Sequence, residues 1–372
     1  MILVLISLIS FWNVYGFSEE FDLRTLDGRT SIQGQIDFPE NCSRQRYKAV
    51  FLVGGTGLYY RNMYLGLSGT KLDFIFKDLS EILTDKCVAV VRYDYRGVTC
   101  DLVDDDTIKA CLDQEVRKEV DGETLLEDIQ LVYDHAKNHR RINGKKIVVH
   151  AYSEGSLNIS RLIKRKKMNP RGLVFVGGVT ESAASLLQWQ FVGRSVDQAF
   201  TMDTNGNGIL SNFEILAGYQ GSFFEKNEIP LLMLMSPSGI WNRFALEQSF
   251  NLQHTIVAKS VLATPSHFPY RHNDLVYASM GWWQTWFADS EPVVKKLANY
   301  SGPITYFNGT LDTQAPGRRQ LNFLKNYTPR MKSTPRFNLV EGKGHLLSDH
   351  PEFGPLDLDL KEKVINAILK SF

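Results

Sequence analysis

The distribution of apolar and polar residues has two periods in the first part of the chain. Residues 21–37 form two alternating runs separated by Leu26-Asp27-Gly28-Arg29, the pattern of a hairpin. Predominantly apolar runs then occur at 48–53, 88–93, 147–150 and 173–177. Helical-period stretches at 72–83, 124–139 and 156–166 separate or follow them. Short, mainly apolar strands separated by amphipathic helices predict a mostly parallel sheet buried under helices on both faces. The glycine-bearing breaks, Gly54-Gly55-Thr56-Gly57, Asp94-Tyr95-Arg96-Gly97 and Ser153-Glu154-Gly155, all follow strands. Open α/β sheets place ligands at those strand ends. After Val179 the rhythm is lost for about 120 residues rich in Trp, Phe and Tyr, and it returns with strands at 304–307 and 336–340 and a helix at 360–369. The expected organisation is therefore an α/β core, 17–179 and 301–372, interrupted by a cap insertion at 180–300. Within the insertion, 230–235 is compatible with either a strand or a buried helix.

Charge changes this picture little. The 372 residues carry 42 basic and 41 acidic groups, and no basic surface of the kind that binds nucleic acid is evident. The start of the chain says more. Residues 2–11 are apolar apart from two serines and lead to Val14-Tyr15-Gly16, small enough at −3 and −1 for signal-peptide cleavage. The run is too short for a stable membrane span. A leader at 1–16 and a secreted or periplasmic protein are expected, and four cysteines fit that setting. Three pairings of them are possible. Cys42 and Cys87 each precede a strand, and if those strands are parallel neighbours both lie at one sheet end. This favours Cys42–Cys87, with Cys100–Cys111 closing a local loop.

The candidate chemistry is centred on Ala151-Tyr152-Ser153-Glu154-Gly155. A β-branched run breaks at a serine flanked by small residues two before and two after, and a helix-compatible stretch follows. Such a strand-to-helix turn needs small residues because the two backbones approach closely, and it exposes the serine at its apex. Acyl transfer by serine also requires a base, an acid to orient it, and donors for the developing oxyanion. Asp312 lies on a Pro316-containing loop after one late strand, and His345 follows Gly342-Lys343-Gly344 after the next. The order Ser, Asp, His is the one found on α/β-hydrolases. His150 lies inside the elbow strand and is read as a core histidine. His254, His267 and His272 fall in the insertion, where they are candidates for lining a substrate pocket.

With these residues the chain resembles the α/β-hydrolase family over 20–180 and 300–370, and more narrowly its bacterial esterase and serine-aminopeptidase-like branch. Arg92-Tyr93-Asp94-Tyr95-Arg96-Gly97 is similar to the R-Y-D-x-R-G turn of that branch, and Gly55-Thr56-Gly57 stands where the branch carries a glycine-rich loop. The elbow departs from G-H-S-x-G by having Ala151 and Tyr152. The resemblance implies Ser153 as nucleophile, with the backbone N–H groups of Thr56 and Glu154 as oxyanion donors.

A second pattern lies in the insertion. Asp203-Thr204-Asn205-Gly206-Asn207-Gly208-Ile209-Leu210-Ser211-Asn212-Phe213-Glu214 has the spacing of a twelve-residue EF-hand loop. Asp203, Asn205 and Asn207 would bind Ca²⁺ at positions 1, 3 and 5. Ile209 would add its carbonyl, Ser211 a water, and Glu214 a bidentate carboxylate. Two formal charges predict a weak to moderate structural site, and no second loop is evident. The reading is an exported serine hydrolase cleaving small carboxylic esters, with no cofactor for catalysis. The alternatives are a peptidase of the same fold and a non-catalytic, calcium-dependent binding protein. Oligomeric state is not legible.

Overall fold

A computed structural model describes residues 17–40, 42, 44–68, 71–221, 230–272, 274–351 and 354–372. The expected leader, 1–16, lies outside the described residues. Fourteen strands occur among them, in chain order β1 (Phe17–Arg24), β2 (Ser31–Phe38), β3 (Tyr47–Val53), β4 (Tyr64–Ser68), β5 (Lys71–Phe74), β6 (Val88–Tyr93) and β7 (Ile142–Tyr152). They continue with β8 (Gly172–Val176), β9 (Ile209–Ser211), β10 (Ile240–Asn242), β11 (Pro269–His272), β12 (Leu275–Ser279), β13 (Ile304–Gly309) and β14 (Arg336–Val340). Eight of them form the main sheet in the order β1-β2-β6-β3-β7-β8-β13-β14. The β1–β2 hairpin is antiparallel and joins β6 antiparallel, and every later pair is parallel. This is the mostly parallel sheet that the apolar runs predict.

Helices cover both faces because each has one apolar stripe. Gly122–Asn138 buries Leu126, Ile129, Val132, Tyr133 and Ala136 at helical spacing. It starts where the Asp121 carboxylate accepts the N–H groups of Glu123 and Thr124. Gly122–Asn138 and Glu154–Lys164 pack on one face, and Ile75–Asp85 and Leu358–Lys370 on the other. The first part of the helix expected at 72–83 is instead β5, paired with β4, and the helix begins at Ile75. Lys71–Phe74 is only four residues long, too short for its alternation to stand apart from the adjoining helical stretch.

The disulfides are Cys42–Cys87 and Cys100–Cys111, with Cα atoms 5.8 and 5.4 Å apart. The first joins the entries to β3 and β6, which are parallel neighbours with Lys48 beside Val88, as the strand-end argument requires.

The Arg92–Gly97 signature is a structural clamp. Arg92 bonds Asp37 on β2, Asp94 accepts a bidentate bond from Arg61, and Arg96 bonds Asp128 on the helix Gly122–Asn138. All six groups are buried. Three successive buried ion pairs therefore tie β6 to β2, to the segment before β4, and to a covering helix.

The insertion begins with a continuous helical run from Ala183 to Met202, containing a π-turn at Trp189–Gly193. Residues 231–234 resolve the ambiguous apolar stretch as a short helix. Helices Arg243–Ala263 and Met280–Ala288 follow. Ala183, Leu186, Trp282 and Trp286 join the core of the main sheet, whereas Met202, Leu210, Leu246 and Phe250 belong to a separate small core.

Candidate active site

Three segments converge at the C-terminal end of the parallel strands. Ser153 caps β7 with φ +45° and ψ −117°, a strained conformation for a residue with a Cβ and the one a strand-to-helix elbow demands. Its N–H donates to Val176 O at the end of β8, and the Ser156 hydroxyl donates to its carbonyl. A Cβ on Gly155 would lie 2.6 Å from Gly54 O and 3.1 Å from the Ala151 Cβ. Because position 155 is glycine, alanine fits at 151. Tyr152, where the resembling branch has histidine, is wholly buried and packs on Phe76.

Asp312 and His345 come together. Nδ1 of His345 lies 2.8 Å from Oδ2 of Asp312, and both side chains are buried. The other oxygen of Asp312 accepts the N–H groups of Gln314 (2.9 Å) and Ala315 (2.8 Å), which fixes the carboxylate in its loop. Nε2 of His345 is buried without a hydrogen-bond partner, so in this structure it makes no bond to Ser153. Gly177 at the end of β8 gives the imidazole its room, since a Cβ there would stand 2.8 Å from Cε1. The insertion is fastened to the Asp312 loop, with Trp189 Nε1 donating to Thr313 O and Gln190 Nε2 to Gln314 O. His150 is a core residue, bonded to Val174 O and lowered to about 4 by burial. His254 lies against Phe191 and Phe287, while His267 and His272 are exposed. All three lie in the insertion, and no hydrogen bond, ion pair or ring contact joins them to Ser153, Asp312 or His345.

Sequence reasoning assigned Glu154 only a backbone role. Its N–H opens the helix Glu154–Lys164, where no intrahelical acceptor exists, but the side chain turns inward. Oε1 accepts both Trp282 Nε1 and Trp286 Nε1, and Oε2 accepts the Thr56 hydroxyl, all at 2.9 Å. Trp282 and Trp286 stand one helical turn apart and present their indoles to one oxygen. Two further hydroxyls brace the Thr56 loop, Tyr95 to Gly55 O and Tyr59 to Thr56 O, each at 3.2 Å. Glu154 thus joins the serine's helix, the glycine-rich loop and the cap. The i, i+4 tryptophans were visible in the sequence, but nothing local pointed to their acceptor.

Burial raises the Glu154 carboxyl, and its three neutral donors oppose that shift only in part. A buried acceptor with three donors makes a specific prediction. Glu154→Ala leaves two indole N–H groups and a hydroxyl unpaired, at a cost of about 3–5 kcal/mol. Glu154→Gln keeps one oxygen for the indoles, and its amide can donate to the rotated Thr56 hydroxyl, so it should be nearly neutral. A carboxyl raised in the folded state contributes stability that is full below its unfolded value and lost as pH rises through the folded one. Urea unfolding should therefore show the Gln variant gaining on the wild type as pH rises through the weakly acidic range. A difference independent of pH would contradict this.

The loop expected to bind calcium is held by its own side chains. Gly206 and Gly208 adopt φ +67° and +75°. Asp203 Oδ2 accepts Gly208 N at 2.8 Å, Asn207 Oδ1 accepts Ile209 N at 2.7 Å, and Glu214 accepts from Asn205 Nδ2 and Ser211 Oγ. An all-oxygen donor set of two carboxylates, two amide oxygens and a carbonyl suits a hard cation such as Ca²⁺.

No protein-family model matches the chain, and no curated protein matches its sequence. Solved structures do match. DcsB, in complex with its substrate analogue, superposes with a TM-score of 0.53 at 13% identity, over 96% of this chain and 100% of that one. Est1E from Butyrivibrio proteoclasticus, with ferulic acid bound, gives 0.50 at 13% identity over 94% and 98%. A lipase in its open form gives 0.50 at 14% identity over 95% and 99%. The protein has the α/β-hydrolase fold.

Proposed function

We propose that the protein is a serine hydrolase acting on small carboxylic esters. The observation that carries this reading is the buried His345–Asp312 contact, with Nε2 left unpaired at the strand ends where Ser153 stands half-buried on its elbow. In the reaction, the Ser153 oxygen attacks the ester carbonyl carbon as its proton passes to His345 Nε2. Asp312 holds the ring through Nδ1 and stabilises the imidazolium. The N–H groups of Thr56 and Glu154 receive the oxyanion, each contributing about 3 kcal/mol. The alcohol leaves with the proton from His345, and water then cleaves the acyl-enzyme with His345 as base again. A fluorophosphonate probe should label the protein, and p-nitrophenyl esters should be turned over in preference to aminoacyl-anilides. Absence of labelling in folded protein would argue for the binding-protein alternative, and preference for anilides would argue for a peptidase.

Two disulfides support a non-reducing compartment, as the N-terminal leader pattern does. We also assign a structural Ca²⁺ to Asp203, Asn205, Asn207, Ile209 and Glu214, with Ser211 holding a water. At a hundred-fold excess over Kd, one bound ion stabilises the fold by about 2.7 kcal/mol. Thermal melting should therefore shift upward in Ca²⁺ and back in EDTA, and identical curves would exclude the site.

A further inference from the structure

The calcium-loop reading has a structural counterpart later in the cap. Gly239 adopts φ +86° and is followed directly by β10, as Gly208, at φ +75°, is followed by β9. The two three-residue strands pair antiparallel, with Leu210 opposite Trp241, Ile209 opposite Asn242 and Ser211 opposite Ile240. Each strand runs straight into a helix. The cap residue stands three places after its glycine and accepts the N–H three residues on: Ser211 Oγ from Glu214 N at 3.2 Å, and Asn242 Oδ1 from Ala245 N at 2.8 Å. A helical turn ends just before or at the start of each loop, at Met202 and at Leu234. Both halves build one core, in which Ala199, Met202 and Leu210 meet Leu234, Leu246 and Phe250.

We propose that residues 194–220 and 230–263 form one paired helix–loop–helix unit, in which the first loop takes a single Ca²⁺ and the second, Leu234–Ala245, is an ion-free copy closed by its own hydroxyls. This rests on the calcium reading of the first loop. With Gly239 at position 6, positions 1 and 12 of the second loop are Leu234 and Ala245, so the carboxylates that Asp203 and Glu214 supply are missing. Positions 3 and 5 are Ser236 and Ser238. Their hydroxyls donate to the carbonyl of Ile240, at 2.6 and 3.1 Å, and that carbonyl is the position-7 oxygen that would otherwise face an ion. The closed loop is bonded to the working one. Ser236 N donates to Asn212 Oδ1, Asn212 Nδ2 to Ser236 O, and Asn212 N to Gly239 O. An ion in the first loop therefore acts through β9 and β10 on the helix Arg243–Ala263. The Gln284 side chain ties the C-terminal end of that helix to the helix of Trp282 and Trp286.

Calorimetric titration of Ca²⁺ into the full chain, with Tb³⁺ luminescence excited through tryptophan, tests this. One ion per chain is expected. Tb³⁺ emission should saturate at one equivalent and fall in Trp241→Phe to the level the other tryptophans support, while calorimetry still counts one ion. Ser236→Ala/Ser238→Ala, which leaves Trp241 in place, should raise the Ca²⁺ Kd about three- to ten-fold by loosening the partner loop. Two ions in the wild type would overturn the ion-free second loop. Undiminished emission in Trp241→Phe together with an unchanged Kd in the double serine variant would overturn the pairing. No ion in folded wild type would overturn the calcium reading itself.

Discussion

Ser153→Ala should abolish fluorophosphonate labelling and lower kcat for p-nitrophenyl ester hydrolysis by about 10⁴- to 10⁶-fold. The size follows from the chemistry: without the hydroxyl there is no acyl-enzyme, and only binding and oxyanion stabilisation remain. Position 153 also has φ +45°, which alanine tolerates no better than serine, so the fold should be little affected. His345→Ala should give a loss of the same order, because groups acting as one unit do not contribute additively. Asp312→Asn should cost less than either, since it disturbs the ring's tautomer and orientation and removes no reacting atom. Ester turnover persisting in purified Ser153→Ala would place the nucleophile elsewhere.

Asp128→Ala should be among the most destabilising single substitutions in the core. Arg96 is 1% exposed and donates to both oxygens of Asp128, at 3.0 and 2.7 Å, with one further bond to Asp27 in the β1–β2 turn. Removing Asp128 leaves the buried guanidinium with only the outer Asp27 as counter-charge, at a cost approaching that of a broken buried pair, about 3–5 kcal/mol, a large part of the 5–15 kcal/mol typical of a whole protein. Denaturant midpoints and a fall in Tm on the order of 10 °C should report it. Replacing both members, Arg96→Met with Asp128→Leu, should recover most of the loss, because two apolar side chains leave no charge in the interior. An Asp128→Ala midpoint equal to the wild type would refute the clamp.

Much of the fold was legible because parallel strands are buried on both faces and so read as predominantly apolar runs between amphipathic helices. Ser153, Asp312 and His345 stood out by their order and by the strands before them, and the fold brings Asp312 against His345. The cysteine pairing followed from which strand each cysteine precedes. What escaped was set by contacts between distant segments. Glu154 looked like any polar residue opening a helix, and its donors lie 128 and 132 residues further on. The arginines and aspartate of the β6 turn were visible as a signature, but their partners Asp37, Arg61 and Asp128 are scattered over a strand, a turn and a helix. The second loop of the insertion was hidden because it carries no carboxylate where Asp203 and Glu214 stand in the first and shares only its glycine and cap residue, a backbone shape without a ligand pattern.

The three-way acceptor at Glu154 bears on how such a fold can be re-engineered. Caps are natural targets for exchange when a new substrate is wanted, on the assumption that a core tolerates any roof. Here a graft lacking the two indole donors would leave a carboxylate beside Ser153 open to water and release the threonine loop from one of its supports. A productive chimera would have to carry the helix Met280–Ala288 with the core, or trade Glu154 for a residue that asks nothing of the roof above it.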